Sequence, residues 1–449
     1  MHLSDLEMAR RIAEEVKAFG GCAYFVGGYV RDLVMGQPGK DIDIEIHGVA
    51  PEKLKEILSS LGGVMEYGES FGIFGIKGYS IDIAMPRKET CRGRGHRDFD
   101  IFVDPHIGTL GAARRRDFTI NAMMQNVLTG EIIDHFGGQS DLNNRVIRHI
   151  DPDSFIEDPL RVLRGAQFAA RFEFSVAEET IELCRGMDIS TLPRERIMGE
   201  LEKALIKAEK PSIFFEILRE MNQLSVWFPE LEDLIGVEQN KKYHSEGDVW
   251  VHTMMVLDVA TKYKIYAKNP LAFMLSALTH DFGKAICTEV IKGEIHAYRH
   301  EICGLPLIKE FMQRLSGEHQ LTKYVLNMAE HHMKPNTLAA LGASVKSTNK
   351  MFDKSVDPEG LICLGICDGL GKISEKEYVS YNDFFKERLS VYREYMSRPY
   401  VTGRDLIEAK IAPSKKFTEY LEYAHKLRLA GIEKESALKQ TLAYARKHK

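Results

Sequence analysis

The stretch GGYVRDLVMGQPGKDIDIEIHG, Gly27 to Gly48, decides how this chain is read. A short apolar run, Cys22 to Val26, ends in the glycine pair Gly27-Gly28; Val30 to Met35 reads helical, and DIDIEI then alternates charged and apolar residues as a half-buried strand does. The alternation sets Asp41, Asp43 and Glu45 on one face and Ile42, Ile44 and Ile46 on the other. Glycines let the backbone approach a ligand and leave N–H groups open at a helix start, a cradle for a triphosphate to which Arg31 adds charge. Two carboxylates at i and i+2 on a strand project side by side, the spacing at which Asp41 and Asp43 can share a pair of Mg²⁺ ions. A third acid, Asp82, is aimed off a second alternating strand in SIDIAM. Glycine pairs and alternating acids are each common alone; the order strand, GG, helix, DxD is what favours a site.

The rest of the chain supplies the frame. Its 449 residues exceed one ordinary core and imply three or four units. With 44% hydrophobic and 28% charged residues it has the composition of a globular chain, and no apolar run approaches the roughly 20 residues of a membrane span. The opening MHLSDLEMARRIAEEV reads as an amphipathic helix carrying acids, unlike a secretory signal, so a cytoplasmic location is expected. Seven scattered cysteines without a CxxC pair fit reduced, packing thiols. The net charge of -5 does not advertise nucleic-acid binding, but beyond Gly371 basic residues outnumber acidic ones by about six, and that tail suits a phosphate backbone. Strand-like runs recur in FGIFGIKG and YSIDIAM after a helix near Glu52 to Leu61, and from about Ser154 onward amphipathic helices dominate.

GGYVRDLVMGQPGKDIDIEI resembles the signature of the class II tRNA nucleotidyltransferases, the CCA-adding enzymes, and of their relatives the bacterial poly(A) polymerases. RRRDFTINAM (Arg114 to Met123), DHFGGQSDLNNRVIR (Asp134 to Arg148), EDPLR (Glu157 to Arg161) and RERIMGELEKAL (Arg194 to Leu205) are similar to the family's later motifs, in order. The resemblance implies an α+β chain: a small nucleotidyltransferase head of the polymerase-β-like type with a mixed sheet over residues 1–150, an all-α nucleotide-selecting neck over 151–240, a helical body over 241–371 and a helical, tRNA-binding tail over 372–449.

It also implies roles. Asp41, Asp43 and Asp82 are catalytic; Gly28, Arg31, Arg115, Arg116, Asp117, Asn121 and Arg164 bind nucleotide, with Arg115 and Arg116 on phosphate and Asp117 and Asn121 on ribose hydroxyls. Gly137-Gly138 reads as a hinge without chemistry. In EDPLR, Asp158 and Arg161 stand i and i+3 on one helix face and can meet a single base edge. Cytosine and adenine both place an exocyclic amino donor beside a ring-nitrogen acceptor, so a carboxylate and a guanidinium suit both; uracil and guanine reverse that polarity and leave groups unpaired, at about 1–3 kcal/mol each. Glu157 orients the arginine, and Arg194, Glu195 and Arg196 support the selection. One departure stands out: GTLGAARRRDF has Gly111, Ala112 and Ala113 where the family usually carries acids. The segment from Met85 to Gly108 is nevertheless about as long as the flexible loop associated with adding the final A.

Between Lys241 and Gly371 a second constellation runs H…HD…D: His252, the adjacent His280-Asp281, then His300, the pair His331-His332, and Asp368. Imidazoles and carboxylates together suit a transition metal or Mg²⁺. The order resembles an HD-type metal-dependent phosphohydrolase domain, with His252, His280, Asp281 and Asp368 as ligands of a divalent ion, Mg²⁺, Mn²⁺ or Ni²⁺; such a domain hydrolyses phosphomonoesters or 2′,3′-cyclic phosphates. In the tail, Tyr420 and Tyr423 suit either the tRNA elbow or a helical core.

The reading is therefore template-independent addition of CCA to tRNA 3′ ends from CTP and ATP with Mg²⁺, with no membrane and no protein partner inferred. Two alternatives stay open: a poly(A) polymerase or CC-adding enzyme sharing the head, and an HD phosphohydrolase whose head only binds RNA.

Overall fold

The computed structural model describes residues 3–448 except 38, 40, 67–71, 92–98, 243 and 374–380, and leaves out the side chains of 88–91 and 99–101. It packs as two compact units, residues 1–192 with 213–223, and residues 193–212 with 224–449. These boundaries cut across the four-part division drawn from sequence.

The first unit is built on a mixed seven-stranded sheet: β1 Cys22–Val26, β2 Ile42–His47, β3 Val64–Glu66, β4 Ile73–Ile76, β5 Ile81–Ala84 and, beyond a separate hairpin of β6 Arg87–Cys91 and β7 Phe99–Val103, β8 Met124–Asn126 and β9 Ile132–Ile133. The sheet order is β3-β4-β5-β2-β1-β8-β9. Only β2 and β5 run parallel; every other neighbour pair is antiparallel. The isoleucine face of β2 explains the arrangement. Ile42, Ile44 and Ile46 are buried, as are Ile12 and Val16 of the helix Asp5–Ala18 and Leu54 and Leu58 of the helix Pro51–Leu61. Each such side chain contributes about 1.5–3 kcal/mol on leaving water, which leaves the acidic face of β2 for chemistry. The segment expected as a loop, Met85 to Gly108, holds the β6–β7 hairpin, and its residues 92–98 lie outside the described residues.

Among its described residues the second unit is helical but for the short hairpin Glu289–Ile291 with Glu294–His296. The helices Val249–Ala260, Pro270–Thr279, His319–His331 and Pro358–Leu370 pack together. Phe273, Met274, Leu275, Ala277 and Leu278, successive around Pro270–Thr279, are all fully buried, so this helix is surrounded on every side. No helix among the described residues is long and apolar enough to cross a membrane. In the tail, Tyr420 is core, clustered with Leu406 and Ala445, and Tyr423 stacks on Tyr444 with ring centroids 4.3 Å apart.

Candidate functional site

The glycine turn and the aspartates meet in the first unit. Gly27, at φ 64°, precedes the helix Gly28–Val34 in a backbone region that side chains strain. A Cβ there would sit 3.2 Å from Arg116 Nη1 and 3.8 Å from Asp43 Oδ2, so turn, guanidinium and carboxylate converge. Asp43 of β2 is paired in register with Asp82 of the parallel β5, and Asp41 lies exposed two residues before Asp43. Burial, and next the charge of Asp82, push the Asp43 carboxyl above its usual range, while Arg116 opposes the rise. Crowded carboxylates of this kind are what a divalent cation relieves.

Further along the same strand, Glu45 and His47 are buried. The His47 imidazole donates to Glu45 Oε1 at 2.8 Å, and Arg116 Nη2 donates to Glu45 Oε2 at 3.3 Å. Burial alone would raise the Glu45 carboxyl; the hydrogen bond from His47 and the Arg116 charge outweigh it and hold the group below the usual range. Glu45 therefore pins Arg116 beside the glycine turn.

Arg31 is placed differently from the sequence expectation of a triphosphate cation. It is 4% exposed, donates through Nη1 to Asn121 Oδ1 at 2.8 Å and through Nε to Asp32 Oδ1 at 2.8 Å, and lies over the Phe172 ring at 4.7 Å. Asn121 passes the link on: its Nδ2 donates to Asp117 Oδ1 at 3.0 Å, and Arg164 Nε donates to Asp117 Oδ2 at 2.7 Å. The Asp117 carboxyl is held below the usual range, the Arg164 charge and the hydrogen bond from Asn121 prevailing over a larger opposing effect of burial. Gly138 supports this network. A Cβ at Gly138 would lie 2.4 Å from Thr119 O, so its backbone packs directly against the turn Thr119–Asn121, and Thr119 Oγ1 donates to Asp141 Oδ2 at 2.7 Å. The segment read as a hinge is thus also the backing of the turn that carries Asn121.

The EDPLR residues sit at the start of the helix Leu160–Phe172 rather than within it, because Pro159 occupies the N-cap. Asp158 Oδ1 accepts from Leu160 N at 3.2 Å, and Arg161 N donates to Asp158 O at 3.0 Å. Arg161 donates to Ser154 O at 2.7 Å and to Arg115 O at 2.8 Å, tying EDPLR to the RRRD segment; Arg115 Nη1 in turn donates to Arg87 O at 3.4 Å. Glu157 is exposed. Arg194, Glu195 and Arg196 open the helix Arg194–Lys207 of the second unit, where Arg194 Nε donates to Glu195 Oε1 at 3.0 Å.

The second unit gathers a second cluster. His280 and His332 cap the C-terminal ends of Pro270–Thr279 and His319–His331. Each Nδ1 reaches a carbonyl three residues back, Ala277 O at 2.8 Å and Ala329 O at 2.7 Å, using acceptors that a helix end leaves open. His300 Nδ1 does the same with Ala297 O at 2.8 Å, and His252 Nδ1 faces Glu246 Oε1 and Gly371 O, both at 3.1 Å. Oxygens of these kinds only accept, so each Nδ1 carries a proton toward its oxygen and each Nε2 faces the centre. There Asp281 divides its oxygens. Oδ2 lies 3.2 Å from His280 Nε2 and 3.5 Å from His252 Nε2; Oδ1 lies 3.2 Å from His300 Nε2 and 3.8 Å from His332 Nε2. Asp368 Oδ1 is 3.2 Å from His252 Nε2. The Nε2 atoms of His300 and His332 stand 3.2 Å apart, at hydrogen-bond distance, and burial above all holds the His332 imidazole at about 3. His252 Nε2 and His280 Nε2 are buried without a hydrogen bond. Orphaned acceptors converging in this way fit a divalent cation. Lys284 Nζ on Asp281 Oδ2 at 2.7 Å and Lys372 Nζ on Asp368 Oδ1 at 2.9 Å add the cluster's own positive charges.

Comparison with known proteins gives these sites a context. The family described as "Poly A polymerase head domain" matches residues 23–148, and that described as "Probable RNA and SrmB- binding site of polymerase A" matches residues 173–235. The multifunctional CCA protein of Haemophilus ducreyi is 38% identical over 327 residues, 71% of this chain and 77% of that protein. That of Vibrio parahaemolyticus is 36% identical over 354 residues, 77% and 83% of the two chains. The chain belongs to the family of multifunctional CCA proteins. Solved structures agree in fold: a CCA-adding enzyme described as a complex with ATP aligns with a TM-score of 0.66 at 21% identity over 98% of this chain and 94% of that one. The Thermotoga maritima CCA-adding enzyme, described as complexed with tRNA, aligns with a TM-score of 0.63 at 22% identity over 98% and 95%.

Within this CCA-family chain, several partners were not assigned from sequence. The order along the chain does not mark His300 and His332 as ligands, yet His300 lies closer to Asp281 than His252 does and His332 only slightly farther. Glu246, which orients His252, carries no local signal beyond standing six residues before it. Glu45 was seen only as one member of an acidic face; its histidine two residues on, facing the same way, was the available clue.

Proposed function

We propose that this chain builds or restores the 3′ CCA end of tRNA from CTP and ATP by template-independent nucleotidyl transfer. The observation that carries the reading is the in-register pairing of Asp43 with Asp82 beside the Gly27 turn. Asp41, Asp43 and Asp82 would hold two Mg²⁺ ions, which when bound lower the pKa of an attacking hydroxyl and neutralise departing pyrophosphate. The RNA 3′-hydroxyl attacks the α-phosphate of the incoming nucleotide, and the bond to pyrophosphate breaks. Arg116, pinned by Glu45, directs its charge at the triphosphate across the glycine turn. Asp117 and Asn121, braced by Arg164 and Arg31, form the ribose wall, and Asp158 and Arg161 read the base edge. Purified protein given radioactive CTP and tRNA lacking its CCA end tests this: an Asp41→Ala, Asp43→Ala double variant labelling tRNA at the wild-type rate would sink the mechanism.

A second activity is favoured by the orphaned buried atoms of the histidine cluster. His252, His280, Asp281 and Asp368, extended by His300 and His332, would hold one or two divalent ions, Mg²⁺, Mn²⁺ or Ni²⁺, whose Lewis acidity polarises a phosphoryl oxygen. Lys284 and Lys372 supply positive charge for the phosphate oxygens. The resulting phosphohydrolase would trim 2′- or cyclic phosphates from RNA ends. Its test is release of inorganic phosphate from a 2′-phosphorylated nucleotide, abolished in Asp281→Ala and retained in Asp43→Ala.

A further inference from the structure

Six side chains surround the histidine centre, and they are not equally enclosed. His252 and His280 are fully buried, His332 is 1% exposed and Asp281 2%, while His300 and Asp368 each reach 6%. Solvent therefore approaches past His300 and Asp368. On the Asp368 side stands Lys372. On the His300 side, two residues earlier in the chain, stands Tyr298, which is 62% exposed. Its ring is stacked on His296, the last residue of the hairpin strand Glu294–His296, with centroids 4.8 Å apart and planes 11° apart. One ring face is covered and the rest is open, and exposed apolar side chains recur on the adjoining elements at Ile286, Val290 and Ile302.

An aromatic ring with an open face can stack a nucleobase. Two residues of chain span at most about 7 Å, so the Tyr298 backbone is within the length of one nucleotide of the ligating His300. We propose that Tyr298, held flat by His296, is the base platform of this centre, and that the centre selects nucleoside phosphates over base-free phosphate esters. The phosphate enters between Lys372 and His300 while the base stacks on the open Tyr298 face. The inference rests on the phosphohydrolase reading for its reaction, not for its binding geometry.

The full chain loaded with divalent metal is assayed on adenosine 2′-phosphate and on glycerol 2-phosphate, with Tyr298→Ala and Tyr298→Phe alongside. The platform predicts that Tyr298→Ala raises KM for the nucleotide about tenfold or more, the scale of one lost base stack. It also predicts that kcat and the KM for glycerol 2-phosphate stay within about twofold, and that Tyr298→Phe behaves as wild type. Equal losses on both substrates, or an unchanged KM for the nucleotide, overturn it. If wild type hydrolyses neither ester, the phosphohydrolase reading falls. The platform is then decided by equilibrium dialysis of adenosine 2′-phosphate with divalent metal, the binding that survives in Asp281→Ala being subtracted as binding elsewhere: weaker remaining binding by Tyr298→Ala upholds it, and equal binding overturns it.

Discussion

Asp43 stands directly opposite Asp82 on the parallel strands β2 and β5, so two carboxylates share one end of the sheet, and among the described residues no lysine or arginine forms an ion pair with either. Arg116, whose charge acts on Asp43, is bonded to Glu45 instead. Because the Asp43 carboxyl is raised, its ionised form weakens the metal-free fold, and that stabilisation by the proton is lost as pH rises through the raised value. Proton and Mg²⁺ then compete for one group. The acid limb of the transfer rate is expected above the ordinary aspartate value of about 3.9, moving to lower pH as Mg²⁺ is increased. Rate–pH profiles at several Mg²⁺ concentrations measure this, and a limb that ignores Mg²⁺ counts against it.

Asp117 has the opposite sign. Its carboxyl is depressed, so its contribution to stability is complete above the unfolded value of about 3.9 and lost as pH falls through the lower folded value. Asp117→Asn keeps one acceptor oxygen and turns the other into an amide donor, so either Arg164 or Asn121 loses its acceptor and the Arg164 ion pair is lost. The expected loss at pH 7 is about 2–3 kcal/mol, less than for a fully enclosed pair because Arg164 is about one-third exposed. Urea unfolding checks the size, and the gap between variant and wild type should close below pH 4.

Gly138→Ala forces a methyl group toward Thr119 O. Relief requires moving the turn that bears Asn121, so the variant should lose about 1–3 kcal/mol of stability and bind CTP more weakly. Thermal melting and the KM for CTP report the two effects together; a change in neither shows that the contact relaxes elsewhere.

The legible part of this chain was local. Alternation alone sets Asp41, Asp43 and Glu45 on one face; β2 begins at Ile42, just after Asp41, and its polar face is itself buried at Glu45 and His47. The partners that tune those groups come from far away: Arg31 meets Asn121 ninety residues on, and Glu45 meets Arg116 seventy-one residues on. No periodicity encodes such pairings. For the same reason Arg31 reads as a phosphate cation beside glycines but is spent on Asn121 and Asp32. The EDPLR helix was expected to include Asp158; Pro159, which suits a helix start, shifts its beginning to Leu160. In the second unit, order along the chain identified a metal-type cluster, whereas the membership of His300 and His332 depended on where two helix ends and one short helix meet.

Asp281 joins both halves of the histidine cluster, since each of its oxygens faces two imidazoles. Its removal should empty the centre. Divalent metal retained after dialysis, measured by elemental analysis, is expected to fall to background in Asp281→Ala and to persist in Asp43→Ala; retention in Asp281→Ala contradicts the ligand assignment.

The central claim, CCA addition by the β2–β5 carboxylates, is met most directly at the RNA end itself. Transcripts of one tRNA ending before the first C, after the first C and after the second C are incubated with CTP and ATP, singly and together, and read at single-nucleotide resolution. Wild type should complete CCA on all three, and the Asp41→Ala, Asp43→Ala variant on none; products stopping at CC, long A tails, or full addition by the double variant would contradict the account.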